Sequence, residues 1–208
     1  MTATVVLATR NKGKIEELRR ILDPYDVELL GLDAYPDLAD VVETGATFAD
    51  NALLKAHAAC RGTGLPSIAD DSGLAVDALN QMPGVLSARW AGRHGDDVAN
   101  LELVLAQISD LPDSRRGAAF VCAAAAAMPD GRDVVVEGRL AGHLARSPRG
   151  SNGFGYDPIF VPLDDDRTTA EMPPEEKDAI SHRGKAFRAL APLLAGLLGS
   201  GESRAARA

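Results

Sequence analysis

Cysteine, basic charge and long apolar runs are all scarce in this chain, and each scarcity excludes something. Of 208 residues only Cys60 and Cys122 carry thiols, one in a helical pattern and one in an apolar strand-like run. Such a pair makes no disulfide framework and fits a reducing, cytoplasmic compartment. No apolar run approaches the roughly 20 residues of a membrane-spanning helix. Met1 to Val5 has no basic stretch ahead of an apolar one, so no signal peptide is expected. A net charge of −8 argues against a nucleic-acid surface, which needs clustered Lys and Arg. A small phosphorylated ligand is still allowed, because a few convergent cations and a metal reverse the local potential. The GxxxxGK[ST] phosphate loop is missing, as are a Ser/His/Asp grouping at a suggestive spacing, an internal repeat and an interdomain linker.

What is present is ordinary globular material, 46% apolar and 25% charged, organised around Ser67-Ile68-Ala69-Asp70-Asp71-Ser72-Gly73-Leu74-Ala75-Val76-Asp77. A short apolar run delivers two adjacent carboxylates, a hydroxyl and a glycine, then returns to apolar alternation. Neighbouring side chains on an extended backbone point to opposite faces. Asp70 and Asp71 therefore serve different purposes, one orienting its surroundings and the other able to hold a hard cation such as magnesium through oxygen. The plain alternative is a turn closing a strand, since Asp, Ser and Gly favour turns.

Upstream, Val5 to Ala8 reads as a buried strand. The polar turn Thr9-Arg10-Asn11-Lys12-Gly13-Lys14 leads into a helix whose Ile15, Leu18 and Leu22 fall at helical spacing, with Asn11 its candidate cap. Such a turn offers backbone N–H groups, a positive helix end and Lys14 to an anion. Asp26 to Leu38 reads as a second strand and a turn-rich link. Thr47 and Asp50 form a capping box for a helix running to about Cys60, with Leu53, Leu54 and Ala58 able to face the core. Asn51 and Lys55 share one face of that helix, and Glu43 precedes it on a loop where a carboxylate can reach a metal.

Downstream, Pro83-Gly84 marks a turn, and Leu101, Val104, Leu105 and Ile108 mark an amphipathic helix. Two apolar strands, Ala118 to Met128 and Val134 to Leu140, are joined by the hairpin signal Pro129-Asp130-Gly131-Arg132. In Gly150-Ser151-Asn152-Gly153-Phe154-Gly155-Tyr156-Asp157-Pro158 the glycines allow close backbone approach, and Phe154 or Tyr156 can stack on a base. Lys177 lies just ahead of Ser181-His182-Arg183-Gly184. There Ser181 is placed to cap a long apolar helix through Leu198, with His182 and Arg183 at its start. Residues 199–208 read as a polar tail, after a domain spanning 1–198.

Thr9 to Lys14, Glu43 to Phe48 with Asn51-Ala52 and Lys55-Ala56, and Ala69 to Leu74 stand in a set order. Pro83-Gly84 with Ser87-Ala88-Arg89, Gly153 to Pro158, and Ser181 to Gly184 continue it. In that order the chain resembles the inosine-triphosphate pyrophosphatase family, the house-cleaning enzymes that act on damaged purine nucleotides. The resemblance covers about residues 5 to 195. It implies an elongated, two-lobed α/β fold with a long central mixed sheet flanked by helices and a cleft between the lobes. It also implies a homodimer, Mg2+ as cofactor, and hydrolysis of ITP, dITP and XTP to the monophosphate and pyrophosphate.

By position the resemblance puts Thr9, Arg10, Asn11, Lys12, Gly13, Lys14 and Lys55 on the triphosphate, and Glu43 and Asp71 on the metal. It makes Asp71 the base activating water and puts Ser72 against substrate. Phe154, Gly155, Tyr156, Asp157, Lys177, His182 and Arg183 fall on the base and sugar side. Cationic or N–H donors there favour a 6-oxo purine over adenine. Alternatives are a pyrophosphatase of different base preference, a phosphomonoesterase, which the lack of DxD spacing in the Asp70-Asp71 stretch disfavours, and a nucleotide sensor without turnover.

Overall fold

The computed structural model describes residues 3–10, 12–22, 27–39 and 41–205, without the side chains of Lys12, Glu17 and 200–205. The Asn11 cap and the Lys12 side chain, both expected near the first turn, lie outside the described residues. Six strands, β1 (Ala3–Leu7), β2 (Val27–Gly31), β3 (Ser67–Val76), β4 (Gly117–Ala127), β5 (Asp133–Leu144) and β6 (Phe160–Pro162), form one sheet in the order β2-β1-β3-β4-β5-β6. The helices are α1 (Lys12–Leu22), α2 (Phe48–Thr63), α3 (Asp97–Gln107), α4 (Pro174–Ile180) and α5 (His182–Ala205). β1 pairs in parallel with β2 and with β3, while β5 and β6 are antiparallel, so the sheet is mixed. Parallel neighbours need a crossover connection, which α1 supplies for β1 and β2. Among the described residues no helix is long and apolar enough to cross a membrane.

The chain divides into two compact units: Met1–Asp71 with Ala123–Gly138 and Gly184–Ala208, and Ser72–Cys122 with Arg139–Arg183. In the first unit α2 begins as expected. Thr47 Oγ1 accepts from the Asp50 N–H at 3.1 Å, and Asp50 Oδ2 accepts from the Thr47 N–H at 3.0 Å. Its core face is only partly the expected one, since Leu53 packs against the core from its edge. Ala52, Ala56, Ala59 and Cys60 are buried, whereas Leu53, Leu54 and Ala58 are only partly so. The reason is the partner surface: this face packs with Val6, Ala8 and Ala69 and with Ala123, Ala125 and Ala127 of β4. Alanine facing alanine lets a helix lie close to a sheet, and larger side chains are turned to the rim. β4 itself is buried on both faces, which explains its unbroken apolar run. The hairpin after it closes through Met128 N–H to Arg132 O at 2.8 Å, with Gly131 at φ 91°.

The second unit is built on larger side chains. Leu74, Val76, Leu101, Val104, Ile108, Phe120, Leu140, Leu144, Tyr156, Ile159 and Phe160 form its core, with the expected amphipathic face of α3 among them. This core also holds a charge that the sequence pattern did not reveal. Arg116 is 2% exposed and donates to the carbonyls of Ile108 (2.8 Å), Leu144 (2.9 Å) and Ala145 (2.8 Å). Burial, with Arg146 nearby, holds this guanidinium below its ordinary pKa, so the three carbonyls are what makes a buried cation tolerable. Cys60 and Cys122 are both buried and unbridged. α5 continues past the expected end at Leu198, to Ala205.

Candidate active site

The central acidic stretch does not form a turn. β3 runs unbroken from Ser67 to Val76, so the backbone passes extended through Asp70, Asp71, Ser72 and Gly73. The alternation expected of a strand then separates the two carboxylates. Asp70, 2% exposed, pairs with Lys14 Nζ at 3.0 Å. Asp71, 6% exposed, accepts from Lys55 Nζ at 3.2 Å on Oδ1 and from Asn51 Nδ2 at 3.0 Å on Oδ2. Lys55 also donates to Glu43 Oε1 at 2.9 Å. Two carboxylates from different segments thus converge on one cationic nitrogen, and all these groups belong to the first unit.

Asn51 is the residue whose part in this cluster the sequence left unassigned. Fully buried, it accepts the Gly45 N–H at 2.8 Å with one end of its amide and holds Asp71 with the other. Gly45 is required there, because a Cβ would come within 2.6 Å of Asn51 Oδ1. The amide therefore fixes the loop carrying Glu43 and the strand carrying Asp71 to one helix. The i,i+4 spacing of Asn51 and Lys55 was the available signal.

The electrostatics follow from burial and neighbours. Burial pushes the Asp71 carboxyl above its ordinary pKa; Lys55, Lys14 and the Asn51 amide pull against that, while Glu43 adds to it. For Lys55 burial works to lower the pKa, but Asp71, Asp70 and Glu43 overcome it and hold the ammonium above its ordinary value. A carboxylate with a raised pKa opposite a firmly protonated lysine is an arrangement common at catalytic sites. Among the described residues no three His, Cys, Asp or Glu side chains form a metal-holding group. The donors that do converge, Glu43 and Asp71, are both carboxylates. That suits magnesium, which takes one or two carboxylates and completes its shell with water and substrate phosphates.

Of the first-turn residues, Thr9 and Arg10 follow β1, and Gly13 and Lys14 lie in the first turn of α1. The Arg10 guanidinium donates to the Leu38 carbonyl at 2.7 Å.

The remaining candidates gather in the second unit. The two rings expected to compete for stacking are separated by burial. Tyr156 is 5% exposed, lies in the core and donates its hydroxyl to the Ser87 carbonyl at 2.9 Å; burial pushes that hydroxyl's pKa up. Its ring thus lies in the core rather than at the surface, and a buried phenol keeps its hydrogen bond. Phe154 is 38% exposed, with Lys177 Nζ 5.2 Å and the Arg183 guanidinium carbon 5.8 Å from its ring centre. Arg183 also donates to Ser72 Oγ at 2.7 Å. His182 is 6% exposed, its ring stacked on Phe120 at 4.9 Å. The Gly155 N–H is directed to Asp97 Oδ2 at 2.8 Å. Asp157, expected to face the ligand, is 3% exposed and turns both carboxylate oxygens to its own chain, since a buried charge needs internal donors.

The fold is thus that of a mixed-sheet α/β protein carrying a carboxylate–lysine network in one unit and an exposed ring flanked by two cations in the other. The chain belongs to the Ham1 family, whose model matches residues 5–193. It is 63% identical to a dITP/XTP pyrophosphatase of Streptomyces coelicolor over 199 residues, 94% of this chain and 98% of that one. Among solved structures it is similar to the nucleoside-triphosphatase, or dITP/XTP pyrophosphatase, of Mycobacterium abscessus, with TM-score 0.76 and 61% identity over 91% of this chain and 99% of that one. A HAM1 protein of Coxiella burnetii superposes with TM-score 0.84 at 42% identity, over 93% and 99% of the two chains.

Proposed function

We propose that the chain hydrolyses ITP, dITP and XTP to the nucleoside monophosphate and pyrophosphate, clearing damaged purines from the nucleotide pool. The observation that carries this reading is the convergence of Glu43 and Asp71 on Lys55 Nζ, at 2.9 and 3.2 Å. Relatives of high identity named for this activity support it.

In this reading water attacks the α-phosphorus, the bond from that phosphorus to the α,β-bridging oxygen breaks, and pyrophosphate leaves. Asp71 takes the water's proton. Burial raises its pKa in the metal-free site, which favours taking up a proton, and a metal bound there would pull the other way. Lys14 and Lys55, each positioned by a carboxylate, turn to the phosphate oxygens as charge builds on them. The Thr9–Lys14 turn and the N-terminus of α1 add backbone donors. Glu43 and Asp71 would hold Mg2+, which when bound would supply further neutralisation of phosphate charge.

On the base side, Phe154 offers a stacking face and Lys177 and Arg183 offer donors. A 6-oxo group accepts from such donors where the 6-amino group of adenine cannot, and a site left with unpaired donors rejects the wrong base strongly. Ser72 reaches this side through Arg183. A homodimer, a cytoplasmic location and no nucleic-acid partner complete the reading and rest on the family resemblance and the charge balance.

The test is product analysis with dITP, XTP, ITP, ATP and GTP, with and without Mg2+. Pyrophosphate and monophosphate from the first three, only with the metal, are expected. Orthophosphate as the product would turn the reading to a phosphomonoesterase. Equal use of all five would remove the house-cleaning role, and binding without turnover would leave a sensor.

A further inference from the structure

Asp157 does not face outward, yet it touches most of what the base-side cluster is made of. Its Oδ2 accepts the Phe154 N–H at 2.8 Å and Lys177 Nζ at 2.5 Å. Its Oδ1 accepts the Thr169 hydroxyl at 2.8 Å, and the same hydroxyl lies 3.2 Å from the Asp157 carbonyl oxygen. The carboxylate is walled in on the remaining side by Gly153, at φ 77°, where a Cβ would fall 2.1 Å from Oδ2. One carboxylate therefore fixes the backbone under the exposed ring and the ammonium beside it, and one buried hydroxyl fixes the carboxylate.

Thr169 is itself held firmly. It is 1% exposed and opens a short 3-10 turn, Thr169–Glu171, whose capping box includes the Thr168 N–H donating to Glu171 Oε2 at 2.7 Å. The loop ahead of Phe154 is bonded to this same strap. Ser151 N–H and Asn152 N–H donate to the Ala170 carbonyl at 3.1 and 2.9 Å, and Asn152 Nδ2 donates to the Met172 carbonyl at 2.9 Å. Thr168 Oγ1 donates in return to the Arg149 carbonyl at 2.9 Å. All these residues belong to one unit, and none of residues 168–172 lies in a stretch that marked the site in the sequence.

We infer that Thr169 is a positioning residue for nucleobase recognition: acting through Asp157, it sets where the Lys177 ammonium and the Phe154 ring stand. The inference rests on the reading that this cluster takes the base. Without the hydroxyl, Asp157 Oδ1 loses its donor and the carboxylate is free to rotate toward another, taking Lys177 and the Phe154 N–H with it. Valine keeps the shape of threonine and removes only that donor, while serine keeps the donor and removes a methyl group.

The experiment compares Thr169→Val and Thr169→Ser with wild type by calorimetric binding of deoxyinosine monophosphate and of inorganic tripolyphosphate, and by dITP kinetics. Thr169→Val is expected to raise the monophosphate Kd and the KM for dITP about tenfold, the effect of one lost buried hydrogen bond. It should leave kcat within about threefold and tripolyphosphate binding unchanged, and Thr169→Ser should bind like wild type. Unchanged monophosphate binding by Thr169→Val would overturn the inference. So would equal damage in the valine and serine variants, or a parallel loss of tripolyphosphate binding, each of which marks a general packing role. If the valine variant does not fold, Asp157→Asn must show the same split between monophosphate and tripolyphosphate. A wild-type chain that neither hydrolyses dITP nor binds the monophosphate overturns the function reading itself; a wild type that does both, beside an unaltered valine variant, overturns the positioning role alone.

Discussion

The two polar clusters use charge in opposite ways. Around Asp71, in the first unit, cations and carboxylates are cross-paired, and Asp71 and Lys55 are both shifted by their neighbours. Lys55 answers to Glu43 and Asp71, Lys14 to Asp70, and Asp71 stands above its ordinary pKa despite two lysines. Around Phe154, in the second unit, the buried Asp157 carboxylate accepts from a backbone N–H, a lysine and a threonine. In the proposed reading the first arrangement changes protonation or partner during the reaction. The second is built to stay as it is, which is what discrimination between similar bases requires.

The sharpest way to break this comparison is Asp71→Asn. Loss of a general base lowers kcat by about 10²–10⁴, while nucleotide binding persists, as steady-state kinetics and calorimetry would show. Stability should move the other way. A carboxyl whose folded pKa is raised contributes stability below its unfolded pKa, near 3.9, and loses it as pH rises through the folded value. At pH 7 the ionised Asp71 is a cost that the amide lacks, so the variant should melt no lower than wild type. The same raised pKa predicts that, in the metal-free protein, the Asp71 carboxyl titrates above the ordinary carboxylate range, as a pH titration followed by NMR would show.

A smaller effect is expected from Phe154→Ala. Base–aromatic stacking is worth roughly 1–3 kcal/mol, so KM for dITP should rise by about one order of magnitude or more while kcat changes little. A large fall in kcat would mean that the two clusters do not divide the work in this way. Smallest is Thr47→Ala at the start of α2, which removes a cap worth about 1 kcal/mol. A lowered urea midpoint is expected, with turnover retained because Asn51 still holds Gly45 and Asp71.

Much of the first cluster could be read locally. The Thr47–Asp50 box, the shared face of Asn51 and Lys55, and the division of labour between Asp70 and Asp71 all follow from helix and strand periodicity, which depends on near neighbours. The features that were not legible depend on distant ones. Nothing adjacent to Tyr156 or Phe154 tells which ring is buried; the hydroxyl partner of Tyr156 is the carbonyl of Ser87. Leucines 53 and 54 looked like the core face of α2 because apolar bulk usually is; Leu53 does pack against that core, but the positions fully buried against β4 are alanines. Arg116 resembled any surface arginine until three carbonyls from distant segments enclosed it. Thr169 sits in a polar turn with no motif of its own, and its part is visible only through Asp157.

The alanine seam joining α2 to β4 has a consequence for how such a chain tolerates change over generations. Asn51 and Lys55 ride on the helix whose distance from the sheet Ala52, Ala56, Ala59, Ala123 and Ala125 set. A single added methyl group in that seam has to be met by a shift of the helix or of its neighbours, and a shift of the helix would alter both contacts to Asp71. In that sense the seam's alanines act as spacers beneath the residues that meet at Asp71.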